Sequence, residues 1–106
     1  MQKNNDKREK AFLVSAILKG FSRVQIEEQL EELKFLAYTA GADIIGKFTQ
    51  NRSRPDPATF IGKGKAETII NQASELDCNL IIFNDDISPT QIKNLQKIAG
   101  ETTKVI

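Results

Sequence analysis

Between Arg54 and Lys65 the chain reads RPDPATFIGKGK, setting two prolines, two glycines and three cationic side chains between a predicted strand and a predicted helix. A connection of that kind needs only a few residues, so this one has room for a function. Pro55 and Pro57 fix their own backbone angles and bias Arg54 and Asp56 toward extended conformations, which stiffens the first half of the loop. Gly62 and Gly64 let the second half bring its backbone close to another molecule. A helix starting near Lys63 aims unpaired N–H groups and two ammonium groups into one volume, an arrangement suited to phosphate. The segment is expected to be a rigid, basic, anion-seeking protrusion.

Local charge supports that expectation. From Lys47 to Lys65, five cations (Lys47, Arg52, Arg54, Lys63 and Lys65) stand against Asp56 alone. The plainer alternative is that they are solvated loop charges pairing with Asp85, Asp86 or the first helix. GKGK at Gly62 to Lys65 lacks the G-x-x-x-x-G-K-[ST] pattern, and Ala66 follows where Ser or Thr would hold magnesium, so no Walker-type site is present. Phe60 could stack on a base, although beside Ile61 it more simply anchors its loop. Asp85 and Asp86, at a strand's carboxyl end, could hold a metal or move a proton; a turn into a helix cap at Ser88 explains them more simply. Cys78 is the single cysteine and histidine is absent, which excludes an internal disulfide and any Cys–His pair. Cys78 is expected to be inert packing.

The elements that position these residues follow from patterning. Ala11 to Ile17 is a short, mostly apolar run of the kind buried on both faces of a sheet, hence a central strand. Ser22 with Gln25 forms a capping box ahead of a first helix whose inner stripe is Ile26, Leu30, Leu33, Ala37 and Ala40, with Gly41 as its stop. Glu27, Glu28, Glu31, Glu32 and Lys34 fill much of the remainder; this acidic run is most simply a solvated face, though it could meet a basic partner. Ile44 to Gln50 is a second strand, interrupted by Gly46. Ala66, Ile69, Ile70, Ala73 and Leu76 mark one buried face of a second helix. Leu80 to Phe83 is a third strand; Ser88, Pro89 and Gln91 start a third helix that Gly100 ends. Thr103 to Ile106 is a fourth strand. Strands alternating with single helices imply an α/β fold, βαβαβαβ, with a four-stranded mainly parallel sheet, helices on both faces and strand order 2-1-3-4. Ligands of such sheets bind along the strands' carboxyl edge, here Lys19 to Ser22, Asn51 to Gly64 and Asn84 to Ser88.

At 106 residues, 40% hydrophobic and 27% charged, the chain has the size and composition of one soluble domain, residues 11–106 after a polar leader at 1–10. Fifteen basic residues against fourteen acidic ones give no whole-molecule pull toward nucleic acid, so any such attraction must come from local clustering. No apolar run is long enough to span a membrane, and MQKNNDKREK has no signal-peptide core, which makes the expected location cytoplasmic.

Three separated motifs, LAYTAGADIIGKFTQ, RPDPATFIGKGKAETI and LIIFNDDISPTQIKNL, occur in an order and spacing that resembles the N-terminal domain of HflX-type ribosome-associated GTPases, over Lys10 to Ile106. The resemblance implies a parallel α/β subdomain that precedes a helical linker and a GTPase domain, neither of which lies within these residues. GTP and Mg2+ would belong to that GTPase domain, and this fragment is expected to carry no cofactor and no GTPase activity of its own. The implied partners are the large ribosomal subunit with its rRNA, in the course of splitting ribosomes into subunits, and the protein's own GTPase domain. Arg52, Arg54, Lys63 and Lys65 become candidate phosphate contacts, with Gly62 and Gly64 giving backbone access and Pro55, Asp56 and Pro57 shaping the loop. Two other functions stay open: a small nucleotide- or phosphate-binding domain using the same loop, since adenine nucleotide binding is attributed to some members, and an intramolecular scaffold for the GTPase domain.

Overall fold

The computed structural model describes residues 8–106, so residues 1–7 of the expected leader lie outside the described part. The elements are β1 (Glu9–Leu18), α1 (Arg23–Thr39), β2 (Ala42–Arg52), α2 (Lys63–Glu75), β3 (Leu80–Phe83), α3 (Pro89–Ala99) and β4 (Lys104–Val105). Every strand pairing is parallel and the sheet order is β2-β1-β3-β4, the order expected from sequence.

β1 is the central strand because its apolar run serves both faces. Phe12, Val14 and Ala16 pack with Ala66, Ile69, Ile70 and Ala73 of α2 and Leu95 of α3. On the opposite face Leu13 and Ile17 pack with Ile26 and Leu30 of α1. The sheet thus lies between α1 on one side and α2 with α3 on the other, and no position in the run from Ala11 to Ile17 reaches solvent. Both capping boxes form: the hydroxyls of Ser22 and Ser88 accept from the backbone N–H groups of Gln25 and Gln91, whose side chains accept from the caps in return.

Several details depart from the sequence pattern. β1 starts at Glu9, not after Lys10, because Glu9 and Lys10 pair with Ala42 and Asp43 of a longer β2. Within β2 the register slips by one residue opposite Ala11 and Phe12, leaving Ile45 as a bulge. Gly46 sits beside it because a Cβ there would lie 3.0 Å from the Phe12 ring. Ala40 and Leu76, expected on buried helical faces, are exposed C-caps. α2 ends early because Asp77 adopts a left-handed backbone (φ 54°) and the Cys78 N–H donates back to the Ala73 carbonyl at 2.8 Å, a Schellman closure that swings Leu76 outward. β4 is Lys104–Val105, one residue inside each expected end, although Ile106 still donates to the Ile81 carbonyl and accepts from the Phe83 N–H, both at 3.0 Å; the Thr103 hydroxyl donates to the Cys78 carbonyl (2.9 Å).

Candidate nucleic-acid interface

The loop between β2 and α2 is built from its own side chains. The Asp56 carboxylate accepts from the Ala58 and Thr59 N–H groups at 2.8 and 3.1 Å, and these two bonds hold its carboxyl below the ordinary range. Asp56 and Phe60 then exchange both backbone hydrogen bonds, at 2.8 and 2.9 Å, closing a tight loop over Pro57 to Thr59. Phe60 adopts a left-handed backbone (φ 67°), an unfavourable state for a bulky residue that holds only because its ring is buried. That ring meets Phe83 edge-on at 6.4 Å, so Phe60 is an anchor and not a stacking platform. From α3, Gln91 Nε2 donates to the Asp56 carbonyl and Asn94 Nδ2 to the Ala58 carbonyl, at 2.8 and 2.9 Å. The loop is closed by its own hydrogen bonds and fastened to α3.

Beyond this platform α2 begins, with Lys63 and Lys65 in its first turn. β2 runs through Arg52, two residues past its expected end, so Arg52 issues from the strand's carboxyl terminus. Its Nε donates to the Arg54 carbonyl at 3.1 Å, and its guanidinium lies so near Gly62 that a Cβ there would come within 3.2 Å. Gly62 is the N-cap of α2, and its N–H is taken by Gln50 Oε1 at 2.8 Å. No side chain caps the helix, and its first turn, Lys63, Gly64 and Lys65, holds no acid. A Cβ on Gly64 would meet nothing within 4 Å, so no contact inside the chain demands a glycine there.

Among the described residues, Arg52, Arg54, Lys63 and Lys65 have no carboxylate within ion-pair distance. Lys47, counted with them from sequence, is instead turned onto α1 and bonded to Glu31 at 2.9 Å. Asp85 does not approach the cations either. It accepts from the Ala16 N–H at 3.0 Å, fastening the turn after β3 to β1, and burial pushes its carboxyl above the ordinary value. No cluster of potential metal ligands exists among the described residues. Cys78 is packed in the core, where burial raises its thiol. Sequence reasoning missed Gln50 and Asn94. Asn94 lies three residues beyond Gln91 on the same face of α3, a spacing that could have marked both as loop supports.

A family model described as "GTP-binding GTPase N-terminal" matches residues 27–106. The chain is 37% identical over 98 residues to a GTPase HflX of Flavobacterium psychrophilum, covering 92% of this chain and 24% of that protein. It is 43% identical over 93 residues to a GTPase HflX of Caldanaerobacter subterraneus subsp. tengcongensis, covering 88% and 21%. The chain belongs to the N-terminal domain family of HflX GTPases. The HflX of Escherichia coli is similar over 78 residues at 30% identity, covering 74% of the chain and 18% of that protein. The chain therefore spans about a quarter or less of the length of these curated relatives. In this HflX N-terminal domain, the loop and uncapped helix start lie inside the region the family model matches. No helix among the described residues is long and apolar enough to cross a membrane.

Proposed function

We propose that this domain is the ribosome-facing module of an HflX-type GTPase: it binds phosphates of large-subunit rRNA through the β2–α2 loop and leaves GTP hydrolysis to a separate domain. The observation that carries this reading is that, among the described residues, Arg52, Arg54, Lys63 and Lys65 have no carboxylate within ion-pair distance, next to a helix start with no side-chain cap and no acid in its first turn. In the bound state the amides of the first turn of α2 and the Arg52 guanidinium donate to phosphate oxygens, while Lys63 and Lys65 supply point charge. Gly64 leaves space for the sugar-phosphate backbone to approach. Folding leaves these groups in place before RNA arrives, because Asp56, Phe60, Gln91 and Asn94 have already fixed the loop. Residues 11–106 act in this reading as the ribosome-binding and regulatory part of a cytoplasmic translation factor that separates subunits, with GTP and Mg2+ held elsewhere in the longer protein.

The test is pelleting of the 106-residue chain with purified large ribosomal subunits, beside the variant R52E/R54E/K63E/K65E. Pelleting that the variant loses supports the assignment; equal pelleting by both overturns it. Calorimetry with ATP, GTP and inorganic phosphate serves as the companion measurement. Binding of a small phosphate compound with no subunit binding would replace this reading by a small-ligand site in the same loop.

A further inference from the structure

The sheet order β2-β1-β3-β4 reverses between β1 and β3, because α1 crosses one face to reach β2 and α2 crosses the other to reach β3. In open parallel sheets a ligand crevice lies at such a reversal, beyond the strands' carboxyl ends. A cavity of about 170 Å³ occupies that place here, between Ala16 and Leu18 of β1, Gln29 of α1, and Asn84 and Asp85 after β3. Phe21 lines it as well. A second hollow of about 380 Å³ lies alongside, past the ends of β1 and β2; Leu18 and Phe21 line both, and Lys19 and Arg52 line the second. The turn that places Phe21 is set by Gly20 (φ 96°) and by the Phe21 N–H, which donates to the Leu18 carbonyl at 3.0 Å. A phenylalanine just before a helix cap often folds onto the fourth helical residue, here Ile26, yet Phe21 is 55% exposed.

The two hollows differ in chemistry. In the first, Asp85 Oδ2 accepts from the Ala16 N–H at 3.0 Å, and a carboxylate has room for further donors. Asn84 Nδ2 donates to Gln29 Oε1 at 2.9 Å, which leaves Asn84 Oδ1 and Gln29 Nε2 without a hydrogen-bond partner among the described residues. A phosphate is repelled by Asp85, and a purely apolar ligand would strand these groups. The edge of a nucleobase mixes N–H donors with acceptors and satisfies them, while its face covers an aromatic ring. The second hollow suits an anion: among the described residues neither Lys19 nor Arg52 has a carboxylate within ion-pair distance. We propose that the paired hollows hold one nucleotide, its base stacked on Phe21 with an amino edge on Asp85 and Asn84, and its phosphate between Lys19 and Arg52. Bases with an exocyclic amine are preferred to uracil, whose single N–H on that edge stands between two carbonyl oxygens that the carboxylate repels. The nucleotide is unpaired in an RNA strand or free, since both present the same groups. The inference rests on the rRNA reading of the β2–α2 loop through Arg52 alone.

The experiment is titration of the 106-residue chain into short fluorescent oligomers of adenylate, cytidylate and uridylate, read by anisotropy, beside calorimetry with AMP, CMP and UMP. Adenylate and cytidylate are expected to bind several-fold more tightly than uridylate. Phe21→Ala should weaken them by about tenfold, the effect of removing a stacking ring, with the salt slope unchanged, and Phe21→Tyr should restore affinity. Phe21 is exposed, so neither variant endangers the fold. Asp85→Asn should narrow the preference against uridylate. Oligomers that bind more tightly than the mononucleotides make RNA the source; mononucleotides that bind as tightly, and lose that binding in Phe21→Ala, make it a free nucleotide, and both results support the site. Affinity unchanged in Phe21→Ala, equal binding of all three bases, or binding of none would overturn the proposal. Large-subunit pelleting lost in R52E/R54E/K63E/K65E, together with oligomer binding indifferent to Phe21→Ala, would leave the loop reading standing and remove this one.

Discussion

Phe60 and Phe35 are the same residue put to opposite uses. Phe60 is buried under the basic loop on the α2 and α3 side of the sheet, and its ring against Phe83 holds in place the segment that presents the cations. Phe35 stands in solvent on the far side, between the glutamates of α1. The formal net charge of +1 conceals a local imbalance, since Arg52, Arg54, Lys63 and Lys65 lie between the carboxyl end of β2 and the first turn of α2 with Asp56 as the only acid among them. The two phenylalanines thus mark a buried anchor on one side of the sheet and an exposed side chain on the other.

The largest expected effect follows from that contrast. Phe60→Ala removes a buried ring and should cost about 3 kcal/mol or more in urea unfolding, whereas Phe35→Ala should change stability of the 106-residue chain by less than about 0.5 kcal/mol. Similar losses at the two sites would erase the distinction between anchor and open face. Next in size is Asp56→Ala, which deprives two backbone N–H groups of their acceptor and should cost about 1 kcal/mol near neutral pH, as loss of a capping side chain does. The carboxyl of Asp56 is lowered from an ordinary value of 3.8, so its stabilisation is fully present above that value and disappears as pH falls through the lowered folded value. Denaturation curves of the two proteins should therefore converge in acid; a gap that persists at the lowest pH would remove the carboxylate from the explanation.

Gly64→Ala sharpens the comparison from the other side. With no neighbour to meet the added methyl, helix propensity should raise stability by up to about 1 kcal/mol, while affinity for the large subunit falls because the approach to the helix start is narrowed. Stabilisation without loss of binding would show that the glycine's open space is unused. The smallest effect belongs to Lys47→Ala. Lys47 is engaged with Glu31 on an exposed surface, so subunit binding should match that of the unaltered chain, and a clear loss would return Lys47 to the interface.

Much of this was legible before any coordinates, for physical reasons that particular residues illustrate. Ser22 with Gln25 and Ser88 with Gln91 signal helix starts through local hydrogen bonds that need no tertiary context, and both are found where the sequence places them. The run from Ala11 to Ile17 announces a central strand because only burial on both faces tolerates it, and the sheet order follows from that. What sequence left hidden depends on register or on an unusual backbone. Leu76 continues the apolar spacing of α2 and is exposed because Asp77, one residue later, takes the left-handed state that usually needs glycine. Lys47 belongs to the basic interval in sequence, but the bulge at Ile45 and the packing of α1 decide which face it joins. The loop's supports from α3 are long-range, 35 and 36 residues from the carbonyls they hold, and local patterning carries little trace of them.

The central claim is that four particular cations meet rRNA phosphates. It is tested most directly by the slope of log affinity against log salt for large-subunit binding, measured for the chain and for R52E/R54E/K63E/K65E. Each phosphate contact contributes roughly 0.7 to 0.9 to the magnitude of that slope, so losing four should flatten it by about 3. A slope unchanged by the four substitutions would contradict the assignment of rRNA binding to the β2–α2 loop.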